Sequence, residues 1–336
     1  MPAPDLTTYA IAMRVRFRGI TRREGMVWRG PAGWAEWSPF TDYSVEQIVP
    51  WLLAAQEMAT RDRPQPRRSE VPVNCTIPAV SADRAHQLVR ESGCRTAKVK
   101  VAEAGQTPAD DLARVAAVRE ALGPEGRIRV DANGAWDLDE AAAALTDLNA
   151  FELEYAEQPC QAVEDLARLR KRLRDRGHRI LIAADESIRR AADPYRVAEL
   201  EAADVAILKV QPLGGVRACL QIADRIGLPV VVSSAVETSI GIRAGIACAA
   251  ALPELPYACG LNTVRLLEHD LDRSPLIATD GVLPVTGLDV AEDLIDAATA
   301  DHDQDRWWRQ RLDRTLQAAG LTPDDLGIEN DRRDVR

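Results

Sequence analysis

Histidine is scarce in this 336-residue chain, and His86, His178, His269 and His302 stand far apart. Such scatter gives no support to a zinc centre built on histidine. The six cysteines (Cys75, Cys94, Cys160, Cys219, Cys248, Cys259) include no C-x-x-C pair. They read as reduced core or loop residues of a cytoplasmic protein rather than as a metal or disulfide framework. No apolar run approaches the ~18 residues of a membrane span. The opening MPAPDLTTYAIAMRVRFRG lacks a basic region followed by an apolar stretch, so no signal peptide is expected. Positive charge is not in excess either, since the formal net charge is −10. That argues against nucleic acid or an anionic membrane surface as the partner. A small anionic substrate stays open, because a lysine pair or a metal reverses the field of a pocket locally.

What is present suffices for a large core, at 46% hydrophobic residues. Residues 5–38 read as β-structure, with hairpin-like glycines and three tryptophans, Trp28, Trp34 and Trp37, expected to pack in a small core. Residues 44–58 read as a helix despite Pro50, and 61–70, RDRPQPRRSE, as a linker. From residue 71 short β-like runs alternate with amphipathic helices. The runs are VNCTIPAV (73–80), TAKVKV (96–101), RIRVDA (127–132), FELEYA (151–156), RILIAA (179–184), VAILKV (205–210), PVVVSSA (229–235) and, weakly, YACGL (257–261). Helix starts are marked by Thr107-Pro108 with Asp110, by Asp137 with Glu140, and by Asp193-Pro194, with Val197 and Leu200 on the expected buried face of the last. Val163, Leu166, Leu169 and Leu173 form one apolar stripe. About eight strand–helix units point to parallel strands, right-handed crossovers and a closed α/β barrel of the (β/α) TIM type. Three regions are expected: 1–70, a barrel over 71–285, and a charged helical segment over 286–336 packing on one of the other two.

In such a barrel the reactive groups lie at the C-terminal ends of the strands. There the sequence places Lys98 and Lys100, then Asp131, Glu157 and Asp185, then Lys209. The intervals from 131 to 157, 157 to 185 and 185 to 209 are 26, 28 and 24 residues, each one strand–helix unit. Taken singly, K-x-K reads as a solvated strand edge, Glu157-Gln158-Pro159 as a strand–loop junction and Asp185-Glu186-Ser187 as a helix start. In order and one per strand, they read as a site. Three adjacent carboxylates repel one another, and a divalent cation resolves this. All-oxygen ligation by Asp131, Glu157 and Asp185 favours Mg²⁺. Arg129 shares the inward face of its strand with Asp131, one layer lower. A lysine beside a metal and a second cation is suited to act as a base near neutral pH. The chemistry expected is proton abstraction next to a carboxylate, with the resulting enediolate stabilised by the metal. Lys209 or Lys100 as a Schiff-base former, and a barrel that binds a ligand without catalysis, remain alternatives at this point.

K-x-K, the strand-end Asp131 of VDANGAW, E-Q-P, A-D-E-S and L-K-V-Q-P together resemble the enolase superfamily, in its muconate-lactonising-enzyme subgroup. The resemblance covers nearly the whole chain. It implies a modified (β/α) barrel under an N-terminal α+β capping domain, here short (1–70). It also implies that Asp131, Glu157 and Asp185 hold Mg²⁺, with Mn²⁺ as a substitute. Lys100 and Lys209 would then face each other across a small-molecule carboxylate, assisted by Lys98. GWAEWSPF (33–40), RVDANGAW (129–136), SSAVETSIG (233–241) and CGLNT (259–263) resemble the subgroup's menaquinone-pathway dehydratases. These aromatise a succinyl-hydroxy-cyclohexadiene-carboxylate. On that likeness Lys100 removes the α-proton and later protonates the leaving hydroxyl, and Lys209 stays cationic. Ser233, Ser234 and Gly260 line the succinyl side, and Arg129 touches substrate or supports residues that do. The same lysine pair also suits an N-acylamino-acid racemase or dipeptide epimerase.

Overall fold

The alternating strands and helices of residues 71–285 close into a ring. A computed structural model describes residues 6–329. Residues 1–5 and 330–336, the outer ends of the expected 1–70 and 286–336 regions, lie outside the described residues. The chain opens with three antiparallel strands, β1 (Leu6–Phe17), β2 (Ile20–Gly30) and β3 (Gly33–Trp37), and a helix, α1 (Val45–Thr60). A short β4 (Glu70–Pro72) leads into the barrel: β5 (Cys75–Ile77), α2 (Ala82–Ser92), β6 (Thr96–Lys100), α3 (Pro108–Leu122), β7 (Arg127–Asp131), α4 (Leu138–Leu148), β8 (Leu153–Glu157) and α5 (Val163–Asp175). It continues with β9 (Leu181–Ala184), the one-turn helices α6 (Glu186–Arg189) and α7 (Arg196–Glu199), β10 (Val205–Lys209), α8 (Val216–Ile226), β11 (Val230–Ser233) and α9 (Ser239–Ala251). β12 (Val282–Pro284) pairs antiparallel with β4, and α10 (Glu292–Ala298) and α11 (His302–Ala319) follow.

Strands β5 to β11 form one parallel sheet in sequence order. The weak YACGL run does not make a full eighth strand. Only Cys259 and Gly260 bridge, to Val73 and Ser233, and these two contacts close the ring. The architecture is therefore a modified (β/α) barrel with an N-terminal cap. Tyr155, Ala183, Val205, Ile207 and Val231 fill its interior, as the inward half of alternating strand positions must.

Local chemistry explains most helix ends. Thr107 and Asp110 form a capping box around Pro108, and Gly123 ends α3 at φ +75°, where a side chain would be strained. Asp137 and Glu140 cap α4 in the same way. Leu166, Leu169 and Leu173 are buried on α5, with Val163 half-buried; full burial of each leucine contributes about 2 kcal/mol. The helix expected from Asp193-Pro194 shrinks to the single turn α7. Asp193 accepts from the Tyr195 amide instead, Glu201 takes φ +50°, and Ala202 N–H bonds back to Val197 O. That reversal sends the chain into β10 and leaves Leu200 exposed, while Val197 is buried.

The C-terminal helix α11 packs on the cap. Trp308 meets Trp37 edge to face at 5.5 Å and donates to Glu24 at 3.1 Å. Trp28 and Trp37 are buried, and Trp34 is half-buried against the same core. Among the described residues no helix is long and apolar enough to cross a membrane.

Candidate active site

Parallel register sets the strand-end residues side by side. Lys100 pairs in register with Asp131, and Asp131 with Glu157, at the same level of β6, β7 and β8. Asp185 follows β9, and Lys209 ends β10 beside Ser233 of β11. All of these side chains are buried. Three strands separate β6 from β10, so Lys100 and Lys209 approach one cavity from opposite sides of the mouth.

The buried charges pair closely. Lys98 Nζ donates to Glu157 Oε1 at 2.8 Å and lies 3.2 Å from Asp131 Oδ2. Lys100 Nζ donates to Asp131 Oδ2 and to Asn133 Oδ1, both at 2.5 Å. Lys209 Nζ donates to Asp185 Oδ2 at 2.6 Å, and Arg189 Nε to Asp185 Oδ1 at 2.8 Å. Burial alone would raise each carboxyl. At Asp131 the charges of Lys100 and Lys98 overcome it, and at Asp185 those of Arg189 and Lys209 do, so both are held well below the usual range. Glu157 is pushed up to about 7 by burial and then by the negative charge of Asp131. Burial, reinforced by the charge of Lys98, lowers Lys100 against the pull of Asp131. Lys98 is raised, because Glu157 and Asp131 outweigh its burial. A buried ammonium held low and a neighbour held high separate a base from a fixed cation.

Among the described residues no three histidine, cysteine or acidic side chains converge as a ready-made metal cage. Each carboxylate is turned onto a lysine or Arg189 instead. The donor set nonetheless fits a hard divalent cation. It consists of three all-oxygen carboxylate donors, Asp131, Glu157 and Asp185, at neighbouring strand ends.

Ser233, Ser234 and Gly260 line the cavity with Lys98, Lys100, Asp131 and Lys209. Ser234 Oγ lies 2.8 Å from Thr263 Oγ1. A Cβ on Gly260 would come within 2.4 Å of Ser233 Oγ, so a side chain there would displace the Ser233 hydroxyl. Arg129 does not line the cavity. It points inward one layer below, bonded to Glu154 (2.5 Å), Asn74 (3.2 Å) and Ala258 O (2.7 Å) and stacked 4.6 Å over Tyr155. Arg129→Met is accordingly expected to cost about 3 kcal/mol of stability by breaking a buried pair, with KM unchanged; urea unfolding and steady-state kinetics read both.

Several cavity residues escaped the sequence reading. Phe17 and Arg18 come from the tip of the β1–β2 hairpin, and Phe40 from the loop after β3. No periodicity marks a residue supplied by a separate part of the chain. Arg189 was the accessible one, lying four residues after Asp185 on a helical turn. Asn133, two residues beyond the end of β7, holds Lys100. Gln158 Oε1 accepts the amides of Asp185 and Ser187 at 3.0 and 3.1 Å, which shapes the loop after β9. The space among the cavity residues is about 30 Å³, the room of roughly one water. A substrate therefore enters only if groups lining the cavity shift, and Phe17, Arg18 and Phe40 of the cap stand in that lining beside the lysines.

Comparison with known proteins matches the "Enolase C-terminal domain-like" family over residues 80–289 and the "Enolase N-terminal domain-like" family over residues 8–59. An o-succinylbenzoate synthase of Thermobifida fusca is 57% identical over 304 residues, covering 90% of this chain and 93% of the relative. One from Mycolicibacterium smegmatis is 50% identical over 309 residues, covering 91% and 94%. Among solved structures, the muconate lactonizing enzyme of Pseudomonas fluorescens superposes with TM-score 0.73 at 21% identity, covering 89% of this chain and 98% of that one. The L-Ala-D/L-Glu epimerase of Bacillus subtilis superposes with TM-score 0.71 at 20% identity, covering 86% and 97%. These two likenesses speak to the fold alone.

Proposed function

The chain belongs to the enolase superfamily and, within it, to the o-succinylbenzoate synthase family, and from that premise we propose that it is a lyase dehydrating a succinyl-hydroxy-cyclohexadiene-carboxylate to o-succinylbenzoate. The observation that carries the reading is the 57% identity across 90% of the chain, joined to a lysine on either side of one cavity. Lys100, lowered by burial and Lys98, takes the proton α to the ring carboxylate as general base. Asp131 and Asn133 aim its Nζ. Lys209, paired with Asp185, keeps its proton and offers positive charge where negative charge develops on the substrate. The Lys100 ammonium then protonates the leaving hydroxyl. One C–H and one C–O bond break, water departs and the ring becomes aromatic. Asp131, Glu157 and Asp185 would hold a divalent cation, Mg²⁺ by its all-oxygen donors, which supplies charge stabilisation to the substrate carboxylate. Mn²⁺ is expected to substitute. Ser233, Ser234 and Gly260 would line the succinyl side. The six buried free cysteines suit a reducing, cytoplasmic setting.

The test is a dehydration assay with the cyclohexadiene carboxylate, run with Mg²⁺ or with EDTA, following loss of substrate absorbance and appearance of the aromatic product. Rapid turnover that EDTA abolishes and Mg²⁺ restores is the expected result. An inert but folded and metal-loaded protein would move the reading to N-acylamino-acid racemisation or dipeptide epimerisation on the same lysine pair.

A further inference from the structure

Within A-D-E-S-I-R, the single turn α6 puts Asp185, Glu186 and Arg189 on one face. The Arg189 side chain is 1% exposed, and three of its nitrogens are committed. Nε donates to Asp185 Oδ1 at 2.8 Å, and Nη2 to Glu186 Oε1 at 2.5 Å. Nη1 leaves the barrel altogether and donates to the phenol oxygen of Tyr43, in the loop between β3 and α1.

Both carboxylates pass the contact on. The second oxygen of Asp185 receives Lys209 at 2.6 Å. Glu186 Oε1 also receives Asn133 Nδ2 at 3.2 Å, and the Asn133 carbonyl receives Lys100 at 2.5 Å. One guanidinium is thus two bonds from Lys209 and three from Lys100, on opposite sides of the cavity. Tyr43 is itself held from other directions. Arg18, at the hairpin tip, donates to its hydroxyl at 3.4 Å, and the Arg190 guanidinium lies 4.5 Å over its ring. Arg311 of α11 donates to the carbonyls of Phe40 and Tyr43 at 2.8 and 3.0 Å.

Burial obliges each nitrogen of Arg189 to find a partner, and what is informative is where the third partner lies. Tyr43 belongs to the stretch after β3 that also supplies Phe40 to the cavity. We propose that Arg189 is a positioning residue that couples seating of the cap, sensed through Tyr43, to the placement of both lysines. With Tyr43 in place the fork is fixed at all three arms, and Asp185 and Glu186 present their remaining contacts to Lys209 and Asn133 at set positions. With the loop lifted, Arg189 loses one of three planar contacts, and the two arms loosen together. The lysine roles rest on the proposed function; the coupling itself does not depend on which carboxylate is the substrate.

Tyr43→Phe, Arg189→Lys and the double variant test this. Each single change is expected to lower kcat on the order of tenfold by misplacing the reacting groups, with KM moving much less. The double variant should be no worse than Arg189→Lys, because the two residues act as one unit. Losses that multiply, or that fall on KM alone, would overturn the proposal. Peptide-resolved hydrogen exchange gives a reading without substrate. Tyr43→Phe should speed exchange in residues 131–134 and 185–190 as well as in 38–44. Faster exchange confined to 38–44 would reduce Tyr43 to local packing and overturn the coupling. If the wild-type protein does not turn over the cyclohexadiene carboxylate, the functional reading fails while the exchange pattern still decides the coupling.

Discussion

Lys100→Ala is expected to abolish turnover while leaving the fold in place. A positioned general base contributes roughly 10²–10⁴-fold, and here the same ammonium is asked to return the proton to the leaving group, so both steps suffer. The structural cost should be small for a reason visible in the charges. Asp131 Oδ2 receives Lys100 at 2.5 Å but lies only 3.2 Å from Lys98, so removing Lys100 does not strand a buried carboxylate. Asn133 is also retained by Glu186. The check is kcat together with the thermal midpoint and calorimetric Mg²⁺ binding. Activity at the wild-type level would sink the assignment of Lys100 as the base, whatever became of the fold.

Glu36→Ala should produce the largest loss of stability. Glu36 ends no catalytic strand; it sits on β3 of the cap, fully buried. Its Oε1 accepts from Tyr9 and Ser38, each at 2.7 Å, and from the Thr238 amide at 3.3 Å. Oε2 accepts from the Thr238 hydroxyl at 2.6 Å and the Gly241 amide at 3.0 Å. A carboxylate from the cap thereby caps α9 of the barrel, where the helix dipole favours negative charge. Arg23 adds a second tie, donating to Val236 O at 3.0 Å. Truncation leaves five buried donors without their acceptor, two of them backbone amides at the start of the helix. The expected cost is about 3–5 kcal/mol, or a midpoint lower by roughly 6–20 °C at 2–4 °C per kcal/mol. Glu36→Gln, which keeps one acceptor oxygen, should fall in between. A midpoint within a degree of wild type for Glu36→Ala would show that cap and barrel are held together elsewhere. The loop after β11 that supplies Ser234 and Val236 to the cavity is anchored by the same contacts, so KM should rise in parallel.

Much of this protein can be read along the chain. Asp131, Glu157 and Asp185 recur at the interval of one strand and one helix, and parallel register turns that interval into adjacency. Thr107, Asp137 and Gly123 mark helix ends because capping is a matter of a few neighbouring residues. Reading failed where distant partners decided. Asp193-Pro194 looks like a helix start, yet the chain had to turn back within one loop to enter β10. YACGL carries the closure of the ring on two residues, because the strands on either side supply the remaining geometry.

By itself the sequence determined the α/β barrel rhythm, the acids and lysines at the strand ends and most of the caps. All of these depend on periodicity and short-range hydrogen bonding. Only the tertiary structure decided that Arg129 faces Glu154 and Tyr155 rather than the cavity, that Glu36 caps a barrel helix, and that Arg189 reaches Tyr43. In each case the deciding term is a buried charge finding its partner: one strand–helix unit away for Arg129, at 25 residues, and for Glu36 and Arg189 across 202 and 146 residues, separations that no local pattern records. Desolvation makes such partners obligatory, and only the folded chain says which ones are within reach.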